Sequence, residues 1–365
     1  MKITFVLPCP SWMPIGGFKV VYEYANRLTS RGHTVTLIHP FFCNKENGSR
    51  NQSLLSAARY LRCLLKSSIT KPWHWFKINP DVRMKLTPNL EEVWMPDSHA
   101  IVATTWNIAE HVAPFSLRKG HKFYFIQGLD TCFNQTNPSR IMDTWKLPYH
   151  KIVISRWLES IARNHGENCT YIPNAVDFNE FCIETPIETR SARTLCLIYK
   201  KDTFKGISDG KTALNIVKEK VPEITVLMFG TDADRDVLPL HATYYKNPKP
   251  YQIKDIYNRS AIFIGTSWCE GFGLPPCEAA ACGSALCVAD NGGHREYAVP
   301  DKTALLHPPR RPDILAKNIL CLLKDNDRRI RIAQDGNSYI KNFSWDRSAD
   351  KFERTLLQGA ENHEQ

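Results

Sequence analysis

Apolar residues fall in short runs that alternate with stretches of helical spacing along this chain of 365 residues. "KITFVLP" at residues 2–8 reads as a buried strand and "CPSWMPIGG" as a loop, while "FKVVYEYANRLTSRG" carries the three- and four-residue apolar spacing of an amphipathic helix. "HTVTLIHP" reads as a second strand, so the chain opens with a strand, a glycine loop, a helix and a strand. That unit starts a doubly wound parallel sheet. Further strands are expected at "AIVATT", "KFYFIQ", "HKIVIS" and "CTYIPN". Residues 177–194 are polar, contain proline and keep no period, which marks a linker. A second series follows: strand "TLCLIY", helix "GKTALNIVKEKV", strands "ITVLMFG" and "ATYYKN", helix "YQIKDIYNRS", strand "AIFIGTS", helix "PPCEAAACG" and strand "ALCVAD". Two or three helices are expected after "TALLHPP". The expected fold class is α/β, with two Rossmann-like doubly wound domains.

Composition narrows this picture. A length of 365 residues suits two cores, and 43% hydrophobic residues suffice for both. No run approaches the roughly 20 apolar residues of a membrane span. The start "MKITFVLPCPSW" lacks the basic region, apolar run and cleavage site of a signal peptide, so a cytoplasmic protein is expected. Many of the 12 cysteines sit in apolar runs such as "LCLIY" and "ALCVAD", as reduced core cysteines do. There is no C-x-x-C pair and no zinc-like His/Cys spacing. The net charge of +10 admits anionic partners. Between Glu46 and Asp81 there is no acidic residue, while Arg50, Arg59, Arg62, Lys66, Lys71 and Lys77 are interleaved with leucines and with Trp73, Trp75 and Phe76. Residues 50–77 therefore read either as a peripheral contact with an anionic membrane surface or as an amphipathic helix packed on its own domain. No nucleic-acid-binding module accompanies the charge.

Ligands of open α/β sheets bind at the carboxyl ends of strands, and three such ends carry unusual chemistry. After the first strand, Gly16 and Gly17 precede a helix, whose free N–H groups favour an anion. They do not form the G-x-G-x-x-G dinucleotide fingerprint. After "TLCLIY" come Lys200, Lys201 and Lys205, which suit a diphosphate or, equally, a solvated basic loop. After "AIFIGTS" comes "WCEGFGLPPCEAAACG", with Glu270 in a glycine loop and Glu278 eight residues on. A position in the first helical turn would explain Glu278 by the macrodipole alone, but Glu270 has no such account. Both carboxylates would repel phosphate and suit hydroxyls instead. A ligand with phosphates and sugars would satisfy lysines, glycines and glutamates together.

"EGFGLPPCEAAACG" resembles the E-x7-E signature of retaining GT-B glycosyltransferases, most closely glycosyltransferase family 4. "IPNAVD", "KKDTFKG", "NGGHREYAV" and the late "FSW" are similar to further family features in the same order. The resemblance implies two Rossmann-like domains across a cleft: residues 1–185 for the acceptor, 186–340 for the nucleotide-sugar donor, and a helix at 341–365 crossing back. It implies that Glu278 holds ribose hydroxyls and that Glu270 lies beside the donor sugar. Lys200 and Lys205 would contact the diphosphate, with Gly16 and Gly17 facing it. The backbone of Gly271, Phe272, Gly273 and Leu274 would position the donor. Lys200 stands where arginine is common, losing a bidentate fork on phosphate. The strand end where many members carry a histidine reads Thr104-Thr105-Trp106, and His111 lies further along. Thr105, Gln127 and Asp130, the last two in "YFIQGLD", are candidates for contacts with donor or acceptor, although Asp130 also reads as a helix cap.

The implied activity is retaining transfer of a sugar from a nucleotide-diphosphate donor to a hydroxyl of a glycan or lipid-linked acceptor, in surface polysaccharide or glycolipid assembly. No metal or other cofactor is expected, since no Asp-x-Asp pair occurs, and nucleic acid is not expected as a partner. Acceptor recognition is expected in residues 43–98 and 128–145. Two other classes stay open: a weakly active homologue serving as a membrane-associated scaffold, and a nucleotide-dependent oxidoreductase.

Overall fold

Lys2–Val6 (β1) is buried over its last four residues and pairs in parallel with Thr34–Pro40 (β2) on one side and Ala100–Ala103 (β4) on the other. A central strand of a parallel sheet is covered on both faces, which is why this run is apolar without alternation. The computed structural model describes residues 1–41, 73–133, 137–231 and 242–361, together with residues 61, 62, 65 and 71. Within them the chain forms two compact units. The first comprises 1–154, 159–172 and 346–365, and the second 155–158 and 173–345.

The first unit holds a parallel sheet in the order β3-β2-β1-β4-β5-β6-β7. Its remaining strands are Arg83–Thr87 (β3), His121–Ile126 (β5), His150–Val153 (β6) and Cys169–Tyr171 (β7). Helix α1 (Gly16–Ser30) connects β1 to β2 and buries Phe18, Val21, Tyr22, Tyr24, Ala25 and Leu28. Two short helices follow β4 and β5: α2 (Trp106–Val112) and α3 (Asp130–Phe133), with α4 (Pro138–Asp143) next. Helix α5 (Arg156–Asn164) precedes β7.

The second unit holds the order β10-β9-β8-β11-β12-β13, again parallel throughout. Its strands are Thr194–Tyr199 (β8), Thr225–Gly230 (β9), Ala242–Lys246 (β10), Ile262–Gly265 (β11), Ala285–Ala289 (β12) and Ala304–His307 (β13). The helices are α6 (Ile207–Lys220), α7 (Pro250–Arg259), α8 (Leu274–Ala281), α9 (Pro312–Lys324) and α10 (Asn326–Ile340). One core gathers Leu195, Leu197, Val226 and Ile262 from the strands with Leu214 and Val217 of α6 and Leu315 and Ile319 of α9. Cys196, Cys277, Cys282 and Cys287 are buried free thiols, and burial pushes Cys196 up to about 12.

Two strands lie where the sequence pattern showed none. β3 and β13 are both sheet edges, and β3 alternates Arg83 and Lys85 outward with Met84 and Leu86. β3 is half-covered and so lacks the apolar run of a central strand, whereas β13 is mostly apolar and buried but only four residues long. The linker 177–194 carries a short 3-10 turn at Ile187–Thr189, and its last residue, Thr194, already opens β8. Most of the basic segment 50–77 (50–60, 63, 64, 66–70 and 72) lies outside the described residues. Its aromatic end does not: Trp75 Nε1 donates to Ser11 O at 3.1 Å, and Trp75 and Phe76 pack on Tyr22 of α1. Those rings serve their own domain.

The last helix, α11 (Trp345–Glu361), belongs to the first unit from Asp346 onward. Phe352 is fully buried, stacked on Tyr24 at 4.3 Å and meeting Phe125 edge-on at 5.3 Å. Arg31, which caps the end of α1, bonds Glu353 and Asp350 at 2.7 and 2.6 Å. Phe352→Ala is expected to cost the first unit about 3–5 kcal/mol, read as a lower urea midpoint at unchanged slope.

Candidate functional site

The carboxyl ends of β8, β9 and β11 in the second unit bring several predicted residues together. Lys200 follows β8, and its Nζ donates to Thr231 Oγ1 at 3.0 Å, just past β9. The loop then closes a 3-10 turn, and Gly206 adopts φ +62°. A Cβ there would stand 2.3 Å from Thr266 O, so only glycine lets the loop lie this close. Thr266 Oγ1 donates to Lys205 O at 2.6 Å, and Trp268 N–H donates to Phe204 O at 2.7 Å. This clasp brings the Lys205 ammonium to Glu270 Oε1 at 2.6 Å. Lys200 and Lys205 are thus anchored separately, one to a hydroxyl beside β9 and the other to the glycine-loop carboxylate. Burial opposes ionisation of Glu270, but Lys205 and His294 outweigh it and hold the carboxyl below the usual carboxylate range.

The glycine loop is held by a neighbour that the sequence reading noted only as a family feature. Gly273 has φ +86°, and a Cβ on it would meet His294 at 2.7 Å and the Tyr297 hydroxyl at 2.8 Å. Tyr297 OH donates to Gly273 O at 2.9 Å. Gly293 lies against Glu270 O, where a Cβ would approach to 2.4 Å. Asn291 Nδ2 donates to Ser267 O at 2.6 Å, and His294 Nδ1 bonds Ala289 O at 2.8 Å. Burial lowers the His294 pKa, and the nearby Glu270 carboxylate opposes that shift. The segment "NGGH" thereby fixes Gly271, Phe272 and Gly273. The signal was two glycines and a histidine after a strand, although nothing in the spacing said which loop they would meet.

Helix α8 begins at Leu274, with prolines in its first positions. Glu278 is therefore beyond the first turn, and no acidic residue occupies that turn. The macrodipole account of Glu278 does not hold. Tyr257 OH of α7 donates to Glu278 Oε2 at 3.4 Å. Arg190 braces the far end of this arrangement. Its buried guanidinium donates to Cys282 O at 2.5 Å, to Tyr257 O and Ser260 O at 3.3 Å, and to Thr185 O. A cation at two helix carboxyl ends satisfies carbonyls that the helices leave open.

In the first unit, Gly16 and Gly17 are the first residues of α1, whose cap Ile15 offers no side-chain bond. No described residue lies within 4 Å of a Cβ on Gly16, whereas one on Gly17 would touch the Gln127 amide at 3.5 Å. Gln127 Oε1 is buried without a hydrogen-bond partner. Thr104 donates to Val6 O at 2.8 Å, and Thr105 Oγ1 donates to Asn107 Oδ1 at 2.6 Å. His111 is on α2, its Nδ1 bonded to Asn107 O at 2.7 Å, one turn from the strand end. Asp130 opens α3 and accepts a hydrogen bond from the Trp106 backbone N–H. Burial outweighs that bond and raises its pKa to about 6. His39, which the sequence reading passed over, is fully buried beneath the loop. It bonds Pro8 O at 2.8 Å and Tyr22 OH at 3.0 Å, and burial lowers its pKa to about 4.

Among the described residues no cluster of three or more His, Cys, Asp or Glu is arranged to hold a metal ion. Two separate loop systems result: carboxylates and lysines in the second unit, and a helix start, an amide and a carboxyl in the first.

Residues 195–339 match the family model "Glycosyl transferases group 1". The chain is 23% identical over 376 aligned positions to phosphatidyl-myo-inositol mannosyltransferase of Mycobacterium tuberculosis, covering 94% of this chain and 93% of that one. It is 33% identical over 96 residues to D-inositol 3-phosphate glycosyltransferase of Corynebacterium efficiens, an alignment spanning 26% of this chain and 23% of that protein. The structure of HepE from Anabaena, solved with UDP and glucose, superposes with a TM-score of 0.74 at 16% identity, covering 98% of this chain and 100% of that one. The fold is GT-B, two parallel-sheet α/β domains. With the matched domain, it supports a glycosyltransferase.

Because the folded Asp130 carboxyl binds its proton more tightly than the unfolded one, its stabilising contribution is complete below about pH 4 and is lost as pH rises through about 6. Asp130→Asn is therefore expected to raise stability at pH 7–8 by on the order of 1–3 kcal/mol. The gain over the natural protein should vanish near pH 4, as melting temperatures across the pH range will show.

Proposed function

We propose that the chain is a retaining glycosyltransferase of family 4. It moves a sugar from a nucleotide-diphosphate-sugar donor to a hydroxyl of a glycan or lipid-linked acceptor without a metal ion. The observation that carries the reading is the Lys205–Glu270 pair at 2.6 Å, with Lys200 at the next strand end and Glu278 on the following helix. All four lie within the matched glycosyltransferase segment. Relatives whose names specify mannosyl transfer to an inositol lipid, and a neighbour of this fold solved with UDP and glucose, point to the same chemistry.

On this reading Glu278 accepts hydrogen bonds from the ribose hydroxyls. Glu270, kept ionised, accepts one from a sugar hydroxyl and holds Lys205 in place. The bond between the anomeric carbon and the phosphate oxygen breaks with its electron pair leaving on phosphate. Lys200 and Lys205 stabilise that charge as it develops. The acceptor oxygen bonds the anomeric carbon from the same face, and its proton passes to the departing phosphate oxygen. The products are the glycoside and a nucleoside diphosphate. Gly16 and Gly17 leave the α1 amides open to phosphate.

The work belongs to surface polysaccharide or glycolipid assembly, at the cytoplasmic face of a membrane that the basic part of residues 50–77 would touch, its aromatic end being engaged by α1. No helix of the described residues is long and apolar enough to cross a membrane.

Thermal shift against UDP, GDP, dTDP and their sugars tests the donor site, because a ligand of the folded state raises its stability. At least one nucleotide should stabilise the protein, and Glu278→Ala should remove most of that shift. Unchanged affinity would sink the ribose assignment. Gly16→Ala should fold as well as the natural chain or gain up to about 1 kcal/mol, since no described residue crowds the new methyl. Its KM for the donor should nevertheless rise, and an unchanged KM would remove α1 from the donor site.

A further inference from the structure

β2 is apolar and buried at Val35, Leu37 and Ile38, yet the residue that follows is His39, also fully buried. An imidazole among apolar neighbours is unfavourable unless its ring nitrogens are satisfied. Here both are. Pro8 O can only accept, so Nδ1 carries the proton of the neutral ring and donates to it at 2.8 Å. Nε2 is then an acceptor, and Tyr22 OH donates to it at 3.0 Å. Burial holds the His39 pKa down at about 4, which keeps the ring in this neutral form. Phe18 packs against the ring at 5.2 Å and Trp73 stacks on it at 6.4 Å, so its orientation is confined.

The two partners stand on the two sides of one joint. Pro8 lies near the start of the loop that leaves β1, and Tyr22 is on α1, which that loop feeds at Gly16. The loop carries Pro8, Pro10 and Pro14. Proline donates no backbone hydrogen bond, so more of the loop's anchorage falls to its carbonyls. Side chains from outside the loop reach it at Pro8 O and, through Trp75 Nε1 at 3.1 Å, at Ser11 O. The cap of α1 offers no side-chain bond, and no described residue crowds Gly16. The direction of the first α1 amides is therefore set by how the loop before them is held.

We propose that His39 is a positioning residue: by holding Pro8 O, with its own ring oriented by Tyr22, it sets the loop that aims the α1 amides at the diphosphate of the donor. This rests on the transfer reading above and gives it a residue that touches no substrate. A histidine that only filled the core would need no particular donor toward the loop.

Two substitutions separate the roles. The amide of asparagine is attached at the same carbon as Nδ1, and glutamine carries its amide one bond further, near Nε2. His39→Asn therefore keeps the donor to Pro8 O and gives up Tyr22, whereas His39→Gln keeps Tyr22 and gives up Pro8. Each loses one buried hydrogen bond, so both should melt below the natural protein by similar amounts. Calorimetry on the full chain with UDP, GDP and dTDP as probes then reads the site. For the nucleotide that the natural protein binds, His39→Gln should raise the dissociation constant about tenfold, while His39→Asn stays within about twofold. Trp75→Phe keeps the ring and deletes only the second anchor of the loop, and should weaken the same nucleotide by about threefold. Unchanged affinity in His39→Gln overturns the proposal. So does an equal loss in the asparagine and glutamine variants, which would follow stability and not the Pro8 contact. Unchanged affinity in Trp75→Phe also overturns it, and that variant keeps the test open if His39→Gln does not fold. A natural protein that binds none of the three nucleotides overturns the transfer reading together with this one. Binding that Glu278→Ala removes and His39→Gln leaves intact sinks only the role of His39.

Discussion

Parallel pairing is the constraint on which everything else in the molecule depends. Each strand runs in the same direction as its neighbours in both sheets, so every return must cross a face, and every loop leaving a strand emerges at one edge. Glycines, lysines and carboxylates far apart in sequence are brought to that edge without any contact of their own choosing. Lys205 and Glu270 are 65 residues apart yet bonded. They meet because β8 and β11 are direct neighbours in register, Leu195 with Ile262 and Leu197 with Ile264. What remains for local chemistry is fine placement, and glycine supplies it. Gly206, Gly273 and Gly293 each stand where a methyl would collide with an adjoining loop.

Buried charge is met in three different ways. Glu270 is buried but kept ionised by Lys205 and His294. Buried Arg190 has no carboxylate at bonding distance among its described contacts and uses backbone carbonyls instead, with burial lowering its pKa to about 10. Asp130 has one backbone donor and a raised pKa. Groups whose needs are only partly met are costly, and they concentrate where a ligand can complete them.

The two-domain α/β class was readable because central strands of parallel sheets are uninterrupted apolar runs, as "TLCLIY" and "ALCVAD" are. β3 was not, because its exposed edge mixes charge with apolar residues, and β13 was not, because the strand lasts only four positions. "EGFGLPPCE" announced a loop and a helix, but the helix start was misjudged. The prolines are not its first residue, and that shift removed the electrostatic account of Glu278. The bracing of the loop by His294, Tyr297 and Asn291 was beyond reach, since a sequence states which residues follow a strand and not which loop they touch. His39 was missed for the same reason. In "LIHP" it reads as a strand residue, and only the tertiary structure shows the Pro8 carbonyl and Tyr22 hydroxyl on its two nitrogens.

The helix bearing Phe352 has a consequence for how the chain is made. The first unit begins at residue 1 but takes part of its core from the segment after Asp346. Phe5, Tyr24 and Phe125 all meet a ring that is translated after the whole of the second unit. Domains usually fold in order of synthesis, but here the amino-terminal one must wait with an apolar groove open while the second is translated. Vectorial folding thus runs backwards in this protein: the portion synthesised first is the last to be finished.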